Sequence, residues 1–155
     1  MSMTIGFTSV TPQEFDRAIG DSEWADELIG SDEKIEQEPN GYLDKSWAGL
    51  EYLMHKAEVG FEFLFTGEDI TDDGTLFGWS PELVRQTAEE LRSVPFGRLA
   101  AHYDGPAMQV AEVYPLAWDD DGNALDYVEF YYAQMVAFFE AAAASGAGAI
   151  MSFSF

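Results

Sequence analysis

Apolar and polar residues alternate loosely from Thr4 to Val10, which predicts an opening β-strand. Thr11-Pro12-Gln13-Glu14 follows with the spacing of a capping box and proline at the first helical position, so a helix is expected from there to about Gly20. A short acidic helix over Ser22 to Ile29 comes next. Residues 30–41 hold Gly30, Pro39, Asn40 and Gly41 among acidic side chains and read as an exposed connection. From Asp44 the period becomes helical, with Leu43, Trp47, Leu50 and Met54 on one stripe. Val59 to Phe65 is a dense apolar run that reads as a buried strand, and Glu68 to Gly74 as an acidic loop. Ser80-Pro81-Glu82 starts another helix, expected to reach about Ser93 before Pro95.

Phe96 to Tyr103 and Pro106 to Val113 read as two short helical pieces divided by Asp104-Gly105. Tyr114-Pro115 predicts an extended stretch, because proline biases its predecessor away from helix, and Asp119 to Asn123 predicts a turn. The longest helix is expected from Ala124 to about Ser145, roughly 30 Å at the usual rise. Leu125, Tyr127, Val128, Phe130, Tyr131, Tyr132, Met135, Val136, Phe138 and Phe139 occupy most of its circumference, leaving a narrow face of Asp126, Glu129, Ala133, Ala137 and Glu140. Such a helix is expected to be buried. Gly146 suits its C-terminal cap. Ala149 to Phe155 then sets Met151, Phe153 and Phe155 on one face and Ser152 and Ser154 on the other, which reads as a closing strand. No internal repeat and no second domain is evident, so residues 1–155 are expected to form one domain.

Composition narrows the function classes. The 155 residues are 47% hydrophobic and 15% aromatic, too apolar for a disordered chain despite a net charge of −22. There is no cysteine, which removes disulfides, thiolate metal sites and cysteine nucleophiles. Met1-Ser2-Met3-Thr4-Ile5 lacks a basic leader, and no run approaches the ~18 apolar residues of a spanning helix, so a soluble, cytoplasmic protein is expected. Acids number 29 against seven bases, and no lysine or arginine follows Arg98. With a folded surface of roughly 7,800 Å² from size scaling, the acids must cover most faces. Neither nucleic acid nor an anionic membrane finds a basic stripe to bind. The acidity either steers a basic protein partner to this surface or reflects an acidic, salt-tolerant proteome. Phe153 and Phe155 fit either a dimer contact or the closure of a monomer's core, so oligomeric state is left open.

Four stretches together resemble the YfbM-like family of small bacterial domains of unknown function. They are Asp44 to Leu53; Phe77-Gly78-Trp79-Ser80-Pro81-Glu82; Ala111-Glu112-Val113-Tyr114-Pro115-Leu116-Ala117-Trp118 leading into Leu125-Asp126-Tyr127 with the final helix and strand; and the opening Ile5 to Ile19. The resemblance covers nearly the whole chain. It implies an α/β (α+β) single-domain sandwich, with a small mixed sheet flanked by helices and a long buried C-terminal helix before the closing strand. It implies no reaction. Family members often carry histidine where this chain has Ala48 and Glu51.

Candidate chemistry centres on Asp44, Lys45, Trp47, Tyr114, Trp118 and Asp126. With Asp44 as a helix N-cap, Lys45 would fall in the first turn, where a cation is disfavoured by ~0.3–1 kcal/mol and calls for a partner. Asp44, Lys45 and the Trp47 indole then make a polar floor beside an aromatic wall, suited to a small anionic or amphipathic ligand. The competing reading is a structural ion pair of Lys45 with Asp126 or Glu112, and Trp47 in the core. Tyr114, Trp118 and Asp126 converge either on a ligand pocket or on a core edge.

Other motifs offer less. With Gly74 at the sixth position of a calcium loop, Asp69, Thr71 and Asp73 fall at the first, third and fifth, but Ser80 stands at the twelfth; with Gly122 there, Ala117 is first and Val128 twelfth. His55 and His102 are isolated, and no nucleophile elbow, phosphate loop or dinucleotide fingerprint is present. No catalytic residue, metal site or cofactor is therefore expected. A noncatalytic acidic protein engaging a basic protein partner, immunity- or antitoxin-like, ranks above a small-molecule binding or enzymatic domain with a pocket near Asp44, Lys45, Trp47, Tyr114 and Trp118. A housekeeping domain whose charge follows its proteome is the third reading.

Overall fold

The opening strand and helix form where alternation and capping place them. A computed structural model describes residues 2–118 and 123–155, with β1 at Thr4–Val10 and α1 at Pro12–Gly20. Thr11 accepts the Glu14 N–H while Glu14 accepts the Thr11 N–H, completing the capping box. α2 spans Ser22–Ile29, capped by the Asp21 side chain. Residues 30–41, expected as an exposed connection, contain the short α3 at Asp32–Ile35. There Lys34 is almost buried, 3.0 Å from Glu14 and 3.1 Å from the Ser9 carbonyl, so one side chain ties α3 to α1 and β1.

This tie carries a pH signature. Partial burial raises the Glu14 carboxyl, but the Thr11 N–H and the Lys34 ammonium outweigh it and hold the group below its ordinary value. The carboxylate therefore stabilises the fold above about pH 4.3 and loses that contribution as pH falls through the lowered value. Lys34→Met is expected to cost about 1–3 kcal/mol at neutral pH by leaving Glu14 without its cation. Thermal melts of both proteins should converge as the buffer is taken into the acid range.

β2 occupies Gly41–Asp44 and α4 occupies Trp47–Lys56. The helix thus begins three residues later than the periodicity predicts. Asp44 is the last strand residue, with a left-handed φ of +51°, and Ser46 precedes the helix as the Ser46 carbonyl accepts from Leu50. Leu43, Trp47, Leu50 and Met54 are all buried, as the stripe requires.

Val59 to Phe65 is not a strand. Val59, Phe61 and Phe63 alternate into the core, yet their backbone is held by α4 side chains: His55 Nε2 donates to the Phe61 carbonyl and Glu51 accepts the Phe63 N–H. The alternation marks burial; a ladder also needs a free neighbouring strand, and here helix side chains take those backbone groups.

β3 at Glu68–Asp69, at the start of the expected acidic loop, pairs as a hairpin with β4 at Leu76–Trp79, which follows that loop. α5 runs Pro81–Arg92 under a Ser80 cap, followed by α6 at Phe96–Ala100 and α7 at Gly105–Val110. Tyr114 and Pro115 lie in a turn, where an extended stretch was expected. The predicted Asp119 to Asn123 turn lies outside the described residues except for Asn123, which opens α8 at Asn123–Ala144. One face of α8, through Val128, Tyr132, Met135, Phe138, Phe139 and Ala142, is buried, whereas Phe130 is exposed. β5 at Gly148–Ser154 closes the chain.

The sheet order is β2-β1-β5-β4-β3, and every pairing is antiparallel, in place of the mixed sheet the resemblance implied. Alternation distributes its two faces. Ile5, Phe7, Phe77, Trp79, Ala149 and Met151 join α4, α5 and α8 in the main core, while Val10, Leu76 and Ile150 pack with Phe15 of α1 and Ala25 of α2. The result is a single-domain α/β sandwich with helices on both faces. Among the described residues no helix is long and apolar enough to cross a membrane.

The edge strand β2 is sealed by side chains. Asn40 accepts the Tyr42 N–H and Gln134 of α8 donates to the Tyr42 carbonyl at 2.6 Å, using backbone groups that would otherwise be open to another strand.

Candidate functional site

Asp44 is the centre of the polar structure at the end of β2. Its Oδ2 accepts from Tyr127 at 2.7 Å and its Oδ1 from Tyr42 at 3.2 Å, and the Tyr127 oxygen in turn accepts the Lys45 N–H at 3.1 Å. α8 thereby clamps the left-handed corner between β2 and α4. Tyr131, one turn beyond Tyr127, packs its ring 5.0 Å away. Burial, with the hydrogen bond to Asp44 next in weight, pushes the Tyr127 phenol well above its ordinary value; Tyr42 and Tyr131 are raised by burial and then by the same negative charge. Tyr127 is thus a protonated donor at neutral pH, suited to recognition rather than to proton abstraction.

A cavity of about 570 Å³ opens beside this cluster, lined by Asp44, Lys45, Pro115, Ala117, Trp118, Asn123, Ala124 and Tyr127. Of the six residues expected at a site, Asp44, Lys45 and Trp118 share this wall. Trp47 and Tyr114 do not. Trp47 Nε1 donates to the Met3 carbonyl, Tyr114 accepts the Met3 N–H, and their rings lie 6.2 Å apart, so the pair fastens the segment leading into β1. Asp126 is exposed in the first turn of α8, where the helix dipole favours an acid.

The expected ion pair of Lys45 with Asp126 or Glu112 is not formed, and among the described residues no carboxylate lies within 4.0 Å of its ammonium. The reason is the shifted helix start. Lys45 precedes the Ser46 cap and so does not occupy the first-turn position from which the partner was argued.

Tyr127 is the residue that sequence reasoning missed, because it was counted among the apolar positions of the last helix. A tyrosine on a buried face needs a partner for its hydroxyl, and that requirement was the available signal. Tyr127→Phe removes the partner of both Asp44 Oδ2 and the Lys45 N–H, for an expected loss of about 0.5–1.5 kcal/mol. Because the phenol is raised in the folded state, its contribution is intact below about pH 10 and falls as pH rises beyond. Alkaline denaturation should therefore be shallower in Tyr127→Phe than in the parent.

A domain of unknown function, DUF1877, matches residues 1–152. The chain belongs to that family. Among solved structures, YfbM from Escherichia coli, itself a protein of unknown function, superposes with a TM-score of 0.74 over 97% of this chain and 99% of that chain, at 13% identity. At that identity the likeness carries the fold, and the YfbM-like membership read from the motifs holds. A comparison with curated proteins gives no match.

In this DUF1877 chain Ala48 and Glu51 have structural work. Glu51 accepts the Phe63 N–H, and its carboxyl is raised, chiefly by burial. Ala48 packs against the main core. Beside them, Gly49 seats Trp118: a Cβ there would lie 2.4 Å from the indole, whose Nε1 donates to the Val113 carbonyl. A helix-interior glycine costs about 1 kcal/mol relative to alanine, and here that leaves room for one wall of the cavity. His55 is committed to the Phe61 carbonyl, and His102 is exposed. Among the described residues no group of three metal-ligating side chains assembles.

Proposed function

We propose that this chain is a noncatalytic bacterial binding protein, acting in the cytoplasm, whose acidic surface engages a basic protein partner in the manner of an immunity or antitoxin-like protein. The carrying observation is how the few cations are used. Of the seven bases, Lys34, Arg85 and Arg92 pair with Glu14, Glu82, Glu89 and Glu140; Arg17 stacks on Trp24, Lys56 on Tyr52, and Arg98 caps the Ala57 carbonyl. Six of the seven are thus occupied by their own chain, while among the described residues only those four acids of the 29 in the sequence gain a basic partner. The uncompensated carboxylates present a field that attracts a basic surface and repels nucleic acid, anionic lipid and a second copy. Capture from an extract of the source cell on the immobilised chain at low salt is expected to return a basic protein that elutes near 0.5 M salt. Recovery of no basic protein at low salt contradicts the proposal.

One observation favours a second reading. Among the described residues Lys45 has no ion-pair partner, and it lines the cavity with Asp44, Trp118 and Tyr127, a setting for a small anionic or amphipathic ligand. Lys45→Met separates the two, since it abolishes small-anion binding and leaves a basic partner's affinity intact or improved.

A further inference from the structure

The aromatic side chains near the end of β5 do not stop at the core. Tyr114, Trp47, Phe153 and Phe155 form a file with successive ring separations of 6.2, 5.6 and 5.2 Å, running from the Met3 clamp to the surface. Its outer end is uncovered. Phe155 is 57% exposed, and Phe65, which shares a groove with Phe153, is 82% exposed. Contiguous exposed aromatics of this kind mark interaction surfaces on soluble proteins.

Phe153 is the ridge between two grooves. One, of about 460 Å³, is lined by Leu64, Phe65, Phe77 and Phe153 with Asp69 and Asp72; the other, of about 830 Å³, by Ile29, Leu76, Phe153 and Phe155 with Asp26 and Asp73. The β3–β4 turn separates Asp72 from Asp73, so each groove receives an acid from it. Thr75 donates to Asp73 through both its N–H and its hydroxyl, which fixes that carboxylate in place. No lysine or arginine lines either groove.

We infer that this ridge and its two grooves are the docking surface for a cationic amphipathic segment of a protein partner, one in which arginine or lysine alternates with apolar residues. The inference rests on the acidic-surface reading above and assigns that reading a place. Apolar side chains of the segment cover Phe65, Phe153 and Phe155, and a base on each side of the ridge meets Asp69 and Asp72 or Asp26 and Asp73. A guanidinium at that position gains from the carboxylate and from the neighbouring ring face together. A second copy of this chain would bring acids against acids, and an anionic membrane would be repelled in the same way.

The test is a titration of the full chain, isotopically labelled on its amides, with two synthetic peptides of equal charge, one alternating arginine with leucine and one alternating arginine with serine. The arginine-leucine peptide is expected to shift amides at residues 64–75 and 152–155. The exposed double variant Phe65→Ser with Phe155→Ser should weaken it by roughly tenfold while leaving the arginine-serine peptide unchanged. Equal affinity of the arginine-leucine peptide for parent and variant, or shifts centred elsewhere, overturns the docking surface and leaves the acidic-surface reading standing. Binding of neither peptide overturns both.

Discussion

Trp79→Ala is expected to lower the unfolding free energy by about 3–5 kcal/mol, the range for removal of a buried large aromatic. Trp79 is fully buried on β4, with its ring 5.0 Å from Phe7 on β1, 5.7 Å from Phe139 on α8 and 5.9 Å from Phe61 in the segment after α4. Truncation thus opens a cavity where sheet, helix and loop meet, and relaxation of any one is opposed by the other two. The indole N–H has no hydrogen-bond partner among the described residues. An unsatisfied buried donor costs about 1–3 kcal/mol, so Trp79→Phe, which removes the donor and keeps a ring, should cost far less than the alanine variant. Urea denaturation of the two variants provides the comparison. Equal losses would mean that the N–H is satisfied in solution.

Gly41→Ala is expected to cost about 3 kcal/mol, at the upper end for overpacking a core site. A Cβ at this position would lie 2.3 Å from the Phe7 carbonyl oxygen and 2.9 Å from both Phe7 Cβ and the Phe138 ring. A side-chain tip can rotate away, but a carbonyl in the centre of β1 cannot move without shifting the pairing of Gly41 with Phe7. The strain reaches the candidate site through three residues of β2. Asp44 ends that strand, and its bonds to Tyr42 and Tyr127 depend on where the strand lies. The variant should therefore combine a lower Tm with a Tyr127 phenol that titrates closer to its ordinary value. A stability loss with an unchanged Tyr127 titration would show that the Asp44 corner is held independently of the strand.

The elements legible in the sequence were those with local chemical punctuation. Thr11-Pro12-Gln13-Glu14 and Ser80-Pro81 mark helix starts because the orphan N–H groups of a first turn are satisfied within four residues, and both helices begin there. The closing strand was legible because Met151, Ser152, Phe153 and Ser154 alternate against a sheet with one face in the main core. What failed depended on partners outside the segment itself. Gly41 to Asp44 is a strand because Phe7 and Ile5 offer an edge, and Val59 to Phe65 is not, because His55 and Glu51 take its backbone groups.

The candidate site divides along the same line. Asp44, Lys45 and Trp118 were found from their chemistry, and the structure brings them to one cavity. Trp47 and Tyr114 met instead on the Met3 backbone, a contact that neither spacing nor residue type encodes. Tyr127 was hidden among apolar neighbours because a tyrosine's ring and hydroxyl answer different requirements, and only the fold places Asp44 within reach of the hydroxyl.

Recognition of the proposed basic partner by charge is open to a direct measurement. Its most direct measurement is the Kd for the captured basic partner at salt concentrations from about 0.05 M to about 0.5 M, over which the screening length shrinks from roughly 14 to 4 Å. The Kd is expected to rise by about tenfold or more across that range, mainly through slower association. A Kd that stays constant with salt would contradict recognition by charge.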